Sequence, residues 1–429
     1  MRWRQKPSGR FGVRVSRREV KRRKRAARRL ALRLFREETA SQEIRTPARM
    51  TDALVRAILV AGSLRLRGLW SPERIARKAA RASIDAGTGA YSKVAQESGS
   101  RWAAKSRRDH AEFATRLAER WGEAIEICEI VRLVALEAGI EYHDEQRREI
   151  SVLHEVLAKL HARACLIANE IITLMRAGFA SGAHARWRAL HEVTVIGTFI
   201  DAGGEEVARR FLDYEHVESL AAARDYQRNA EAIGHEPYSD EEIATMEEAV
   251  AELCTVHGAL FRKRYGWAAE YFGCAPDYRM IEAATDLAHY RSYYRMASHP
   301  IHAGPKGIAF DIGLFDRGQV MLAGPSNAGF ADPGHGMCLS LTQITAVFLN
   351  LTPSPSGSVS LRVLLELTDQ AGEALLAAHQ QLKLDEAELS DEGCRSKPAW
   401  SLLSRLHRKR SGILSGNRPN PRDSGTTSA

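Results

Sequence analysis

The chain has 429 residues, 44% of them hydrophobic, and a formal net charge of +9. That length allows more than one domain with a sizeable core, and no apolar run approaches the roughly 18 residues that would suggest a membrane span. The six cysteines, at 128, 165, 254, 274, 338 and 394, are scattered with no Cys-x-x-Cys pair, which reads as reduced thiols in a cytoplasmic protein.

The charge is unevenly spread. Residues 1–36 hold 16 Lys or Arg and one acid, Glu19, a local +15 that leaves −6 for the remainder. Residues 17–36, RREVKRRKRAARRLALRLFR, are good helix formers, but like charges repel. Residues 1–45 are therefore expected to form a disordered arm until an anion neutralises them. Arg17, Arg18, Lys21, Arg22, Arg23, Lys24, Arg25, Arg28 and Arg29 are its candidates for contacting nucleic acid or another polyanion, since each neutralised phosphate releases counterions. An anionic membrane surface, an acidic protein, or a solvated tail with no specific partner are the alternatives. Arg17-Arg18 superficially resembles a twin-arginine export signal, but KRRKRAARR follows where that signal needs an apolar stretch.

Residues 46–145 read as an N-terminal helical region. Thr51 to Gly68 is helical in pattern, and Ser71-Pro72-Glu73 opens another helix, with Ser as N-cap and Pro at the first helical position. Asp85 to Ser100 is rich in Gly and Ser and reads as a loop. Residues 101–139 are amphipathic, with Phe113, Leu117, Trp121, Ile125 and Cys128 at spacings of three or four that predict core packing.

A core domain is expected over 146–386. Ile167, Ile171, Leu174 and Met175 share one helical face. Gly178, Ser181 and Gly182 mark a turn, and Ala183, Trp187, Leu190 and Thr194 form the stripe of the next helix. Asp201, Gly203 and Gly204 end that helix, and Glu205 and Glu206 fit the first turn of a third. Beside the stripes stand Glu170, Arg186, Arg188, His191 and Glu192. Buried charges are costly unless paired, so these side chains are expected to pair with one another or face a cleft.

Helical pattern continues over Val207–Ala232, then Gly234–Asp240 turns the chain and Asp240 caps a further helix. Met280–Ala297 reads as one helix with Ile281, Ala284, Leu287, Ala288 and Tyr294 inward. Pro300 stops it, leaving His302 in a turn beside a helix end. Ile308–Leu322 alternates apolar and polar residues about Asp316-Arg317-Gly318, the pattern of a small β-hairpin. A loop over 324–336, an apolar helix over 337–351 and a last helix over 359–386 follow. From about Leu389 the composition turns to Ser, Pro, Arg and Gly, so 387–429 is expected to be a disordered tail. The fold class is mainly α: a multi-helix bundle with a hairpin insertion near 308–322 and disordered ends. No internal repeat is apparent.

Gly182-Ala183-His184-Ala185-Arg186-Trp187-Arg188-Ala189-Leu190-His191-Glu192 resembles the central signature of a bacterial domain-of-unknown-function family, number 5677. In that family a helix of the type A-x-R-x-R-x-L-x-E follows one of the type E-I-x-x-L-x-x-G. Glu170, Ile171, Leu174 and Gly178 match the first helix, and Tyr214 after Arg209-Arg210 and Ser298-x-x-x-His302 also fit. The resemblance covers roughly residues 150–350. It implies a helical bacterial protein and adds little on chemistry.

Three readings of the polar residues compete. In the first, Arg295 and His302, six apart, resemble the Arg-x(4–6)-His motif of HEPN-superfamily ribonucleases. RNA brings its own 2′-hydroxyl nucleophile, so a His for proton transfer and an Arg for phosphorane charge would suffice without metal. Met296 stands where that motif carries a polar residue. The second is a metal site in a helical bundle drawing on Asp213-x-x-His216, Asp286-x-x-His289, His299-x-x-His302, Glu170 and Glu192, although the Glu-x-x-His pair of such sites is missing. The third and favoured reading is structural: ion pairs among Arg186, Arg188, Glu192, Glu170 and Asp213 fix helix register, and Ser298 and His302 cap a helix. It makes the chain a nucleic-acid- or partner-binding protein, or a homodimer, with a polar cleft near Arg188, Glu192, Arg295 and His302. Neither a cofactor nor a metal is expected, since phosphate loops, dinucleotide fingerprints, nucleophile elbows and zinc spacings are missing from the sequence.

Overall fold

The computed structural model describes residues 72–146, 150–314 and 321–395. These fall in two compact units, with the division between Glu112 and Phe113. The expected basic arm, the Thr51–Gly68 pattern, the Asp316-Arg317-Gly318 turn and the chain beyond Arg395 lie outside the described residues. Among the described residues no helix is long and apolar enough to cross a membrane.

Helix α1 spans Pro72–Glu145 without a break, so the loop expected over 85–100 is helix. Single Gly and Ser residues lower helix preference by only about 1 kcal/mol or less each. A Cβ at Gly89 or Gly99 would meet open space, so nothing steric requires glycine there, and Lys93–Glu97 and Lys105–Asp109 ion pairs follow i, i+4 spacing. In the second unit the predicted stripe of α1 is realised, with Leu117, Trp121, Ile125 and Cys128 buried. Trp121 packs edge-on against Phe330 at 5.2 Å, and its Nε1 donates to Asn327 Oδ1 at 3.0 Å.

Helix α2, Val152–Arg176, and helix α3, Ala180–Asp213, pack together along much of their length. Ser151 caps α2 by accepting from His154 N. Gly178 makes the turn between them at φ +85°, where a Cβ would strike Phe113 and Pro325. Ser181 and Gly182, expected in the turn, already belong to α3. The break expected near Asp201–Gly204 falls at Gly204, with φ 69° and ψ −157°, a conformation closed to most L residues. It redirects the chain so that Glu205 accepts the free Val152 and Leu153 N–H groups of α2, each at 3.0 Å.

Helix α4, Glu215–Asn229, and helix α5, Asp240–His257, pack together. The cap of α5 is Ser239, not Asp240: Ser239 and Glu242 form a reciprocal capping box. The chain then runs through short elements: α6, Ala269–Phe272; α7, Tyr278–Ala283; α8, Arg291–Ala297; α9, Pro305–Ala309; and 3-10 turns at Ala259–Arg262, Gly266–Ala268 and Ala288–Tyr290. The single helix expected over 280–297 is thus broken. Thr285 Oγ1 donates to Glu282 O and accepts from Leu287 N, local bonds that compete with the helical ladder. Ile281, Leu287 and Tyr294 are buried as expected, but Ala284 and Ala288 are exposed.

The β-hairpin expected over 308–322 is not seen among the described residues. No strand occurs among the described residues, and α9 takes up Ile308. Pro305 starts that helix, and Asp311 turns the chain by accepting from Gly313 N at 2.8 Å, a local bond that takes the place of a ladder partner. Helix α10, Ala331–Leu349, begins inside the expected loop and packs on α2, α3 and α11. Helix α11, Pro355–Arg395, outlasts the expected end at 386. The core lies where α1, α2, α3, α10 and α11 meet, and it includes Ile167, Ile171, Met175, Leu190, Phe330, Leu341, Phe348 and Leu375.

Candidate ligand cleft and the charged cluster behind it

Helix α3 carries a ladder of rings. His184 stacks on Trp187 at 5.6 Å and Trp187 on His191 at 5.5 Å. All three are buried, and Trp187 Nε1 donates to Ser340 Oγ at 3.1 Å. Burial lowers the His184 pKa to about 4, so it carries no proton at neutral pH.

His191 stands at the centre of a charged cluster. Its Nε2 lies 3.2 Å from Glu282 Oε1, and Arg291 Nη1 donates to Glu282 Oε2 at 2.9 Å. Glu282 is 1% exposed. Burial lowers the His191 pKa, opposed by its bond to Glu282. A neutral imidazole donating Nε2–H satisfies both tendencies, with Arg291 as the carboxylate's counter-charge. This tautomer is assigned from the contact, and it leaves Nδ1, a buried atom with no partner, as an open acceptor. Tyr294 joins the cluster to the surface: its hydroxyl accepts from Arg188 Nη2 at 2.9 Å and donates to Glu192 Oε1 at 2.5 Å. Arg188 and Glu192 also pair directly at 3.0 Å. Burial and the bond to Glu192 push the Tyr294 pKa up to about 12. Tyr278 stacks on Tyr294 at 5.1 Å, and its own hydroxyl has no partner; burial raises its pKa further still.

Glu192 also lines an open cleft of about 770 Å³, within the range of roughly 300–1,000 Å³ typical of small-ligand sites. Its floor is apolar: Val156 and Leu160 of α2, Ala189, Val193, Ile196, Phe211 and Leu212 of α3, and Trp267. Its rim carries Lys159, Arg163 and Arg264 together with Glu192, Glu215 and Glu218. One wall is braced by Arg210, which is 4% exposed. Arg210 Nε donates to Trp267 O at 3.1 Å, Nη2 to His257 O at 3.2 Å and Nη1 to Glu270 Oε2 at 2.6 Å. His257 Nε2 lies 2.7 Å from Asp213 Oδ2. Tyr265, another cleft residue, lies in the left-handed region at φ 55° and ψ 28°, a strained conformation for a bulky side chain.

The residues singled out in the sequence are thus dispersed. Glu170 pairs with Arg186 across α2 and α3. Arg188, His191 and Glu192 meet in the cluster. Tyr214 lines the cleft and donates its hydroxyl to Lys263 O at 2.8 Å. Ser298 bonds back to Tyr294 O. Arg295 and His302 are exposed, with no hydrogen bond or ion pair between them. Asp213 meets His257, not an arginine or His216, and His289 bonds to the Asp286 backbone. Among the described residues no group of three or more His, Cys, Asp or Glu is placed to hold a metal ion. Sequence reading missed Glu282, Tyr278 and His257, and named Arg210 only beside Tyr214 in the family pattern. Arg291 and Tyr294 stand in a dense polar-aromatic run, His289 to Arg295, but an isolated Glu at 282 gives no local sign of burial.

The geometry defines a helical unit with a charged cluster and a cleft set along α3. The model of a family of unknown function, DUF5677, matches residues 154–319, and the resemblance read from the sequence holds over that stretch. Every cleft residue from Val156 to Trp267 falls inside it. No curated protein and no solved structure matches the chain, and the resemblance to HEPN-superfamily ribonucleases is not shown.

Proposed function

We propose that the helical unit is a binding protein whose partner or ligand enters the cleft between α2, α3 and the Arg264–Trp267 loop. One observation carries this reading: an open cleft with an apolar floor and charged rim, its wall braced by a buried arginine, within the family-matched residues. Apolar walls with a few convergent polar groups are the common form of ligand sites. The test is a thermal-shift screen of small-molecule libraries on wild type and Ala189→Trp, which fills the cleft from its floor. Stabilising ligands should act on wild type alone; equal responses in both proteins would reject the cleft as the site.

The charge asymmetry favours a second attachment. The +15 of residues 1–36 suits nucleic acid or another polyanion, giving a protein that holds a polyanion by its arm and a ligand in its cleft. Single-stranded RNA binding, followed by anisotropy, should weaken steeply with salt and disappear on removal of residues 1–45. Unchanged affinity after that deletion would reject the arm's role.

A further inference from the structure

We infer that the cleft selects an organic anion with an apolar body, its anionic head held by Arg163 and Arg264. This rests on the cleft being a binding site, as proposed above, and adds the ligand's chemical class. A count of formal charges does not lead there, because three cations face three carboxylates. What decides the matter is which of those charges already have a partner.

The carboxylates are compensated. Glu192 receives Arg188 and the Tyr294 hydroxyl. Glu215 and Glu218 stand in the first turn of α4, a helix of 15 residues without a side-chain cap, where the helix dipole favours negative charge. Among the cations, Lys159 is paired with Glu155 at 2.5 Å. Arg163 and Arg264 make no ion pair among the described residues; Arg264 only lies over the Tyr265 ring at 5.2 Å. The uncompensated charge of the cleft is therefore positive, and guanidinium groups suit carboxylate and phosphate oxygens. Between the rim charges the partly exposed Ile196, Phe211 and Leu212 would gain from covering by an alkyl or aromatic body. A bare inorganic anion would leave that floor in water, and a neutral amphiphile would leave the arginines unused.

Calorimetric titration of full-length protein with octanoate, octyl phosphate, octan-1-ol and octylammonium tests the class. Octanoate or octyl phosphate should bind, and octan-1-ol should bind about tenfold more weakly. Arg163→Ala and Arg264→Ala should each weaken anion binding by about threefold to tenfold, while Arg163→Lys retains part of it. Comparison of the two anions separates carboxylate from phosphate recognition. The inference is overturned if octan-1-ol or octylammonium matches the anions, if both alanine variants bind them unchanged, or if neither anion binds. These failures leave the wider cleft reading standing so long as the Ala189→Trp screen still separates the two proteins, so the two claims fail independently.

Discussion

Helix α3 buries polar groups on two sides, and it does so differently. Toward α10 the partners are neutral: Trp187 Nε1 meets Ser340 Oγ, and Thr194 Oγ1 reaches Ser340 O. Toward α7 and α8 they are ionic: Glu282 holds Arg291 and His191, and Arg188, Glu192 and Tyr294 share a second set of bonds. A neutral hydrogen bond changes stability by only about 0.5–1.5 kcal/mol when exchanged for water. A buried charge demands full compensation, and removing one member strands the others. The neutral side can therefore be locked tightly, whereas the ionic side is a network that stands or falls together. The cleft opens beside the ionic side, through Glu192.

The sharpest way to break this contrast is Glu282→Ala. It leaves the Arg291 guanidinium and the buried His191 without their shared carboxylate. We expect a loss of about 3 kcal/mol in urea unfolding, the lower end for a broken buried pair because Arg291 retains 34% side-chain exposure. Glu282→Gln, which keeps the shape but not the charge, should cost less. A loss below about 1 kcal/mol for the alanine variant would show that the ionic side behaves like the neutral one.

On the neutral side the test is steric. A Cβ at Gly336 of α10 would stand 2.8 Å from Trp187 Nε1 and 3.0 Å from its Cε2. The indole is rigid, stacked between His184 and His191, and tied to Ser340, so it cannot give way without losing those contacts. Gly336→Ala should cost about 1–3 kcal/mol, with an altered near-ultraviolet dichroism from the displaced indole. Unchanged dichroism and stability would mean that this interface has slack.

These two positions also show what a sequence can tell. The stripe of Ala183, Trp187, Leu190 and Thr194 was legible because helical periodicity alone decides which side faces inward, and Gly178 and Gly204 marked their breaks because few other residues reach those dihedrals. The charged residues of α3 were legible as a group needing partners, since burial of charge is costly wherever it occurs. Their partner Glu282 was not. It lies 91 residues from His191, and only the broken path of the chain between α5 and α8 brings them together. The same irregular path defeated the single helix expected over 280–297 and the hairpin over 308–322, where Thr285 and Asp311 turn the backbone by side-chain bonds that leave no periodic signal. A polar cleft was expected near Arg188, Glu192, Arg295 and His302; of these four Glu192 alone lines the cleft described here, whose walls come from segments separated by as much as 111 residues, Val156 to Trp267.

The smallest expected effect separates charge from shape at the bend that divides α3. Glu205 is exposed, yet it accepts two backbone N–H groups at the start of α2, and those bonds hold its carboxyl below the usual glutamate range. A folded-state pKa depressed in this way contributes stability above the unfolded-state value, and that contribution is lost as pH falls through the folded-state value. Glu205→Gln should therefore cost about 0.5–1 kcal/mol near neutral pH, as for other exposed helix caps. The gap between the two proteins should close in acid, where the protonated glutamate resembles the amide. A gap that persists unchanged in acid would mean that the bend at Gly204 places Glu205 for its shape alone, and that the start of α2 does not respond to the charge the bend delivers to it.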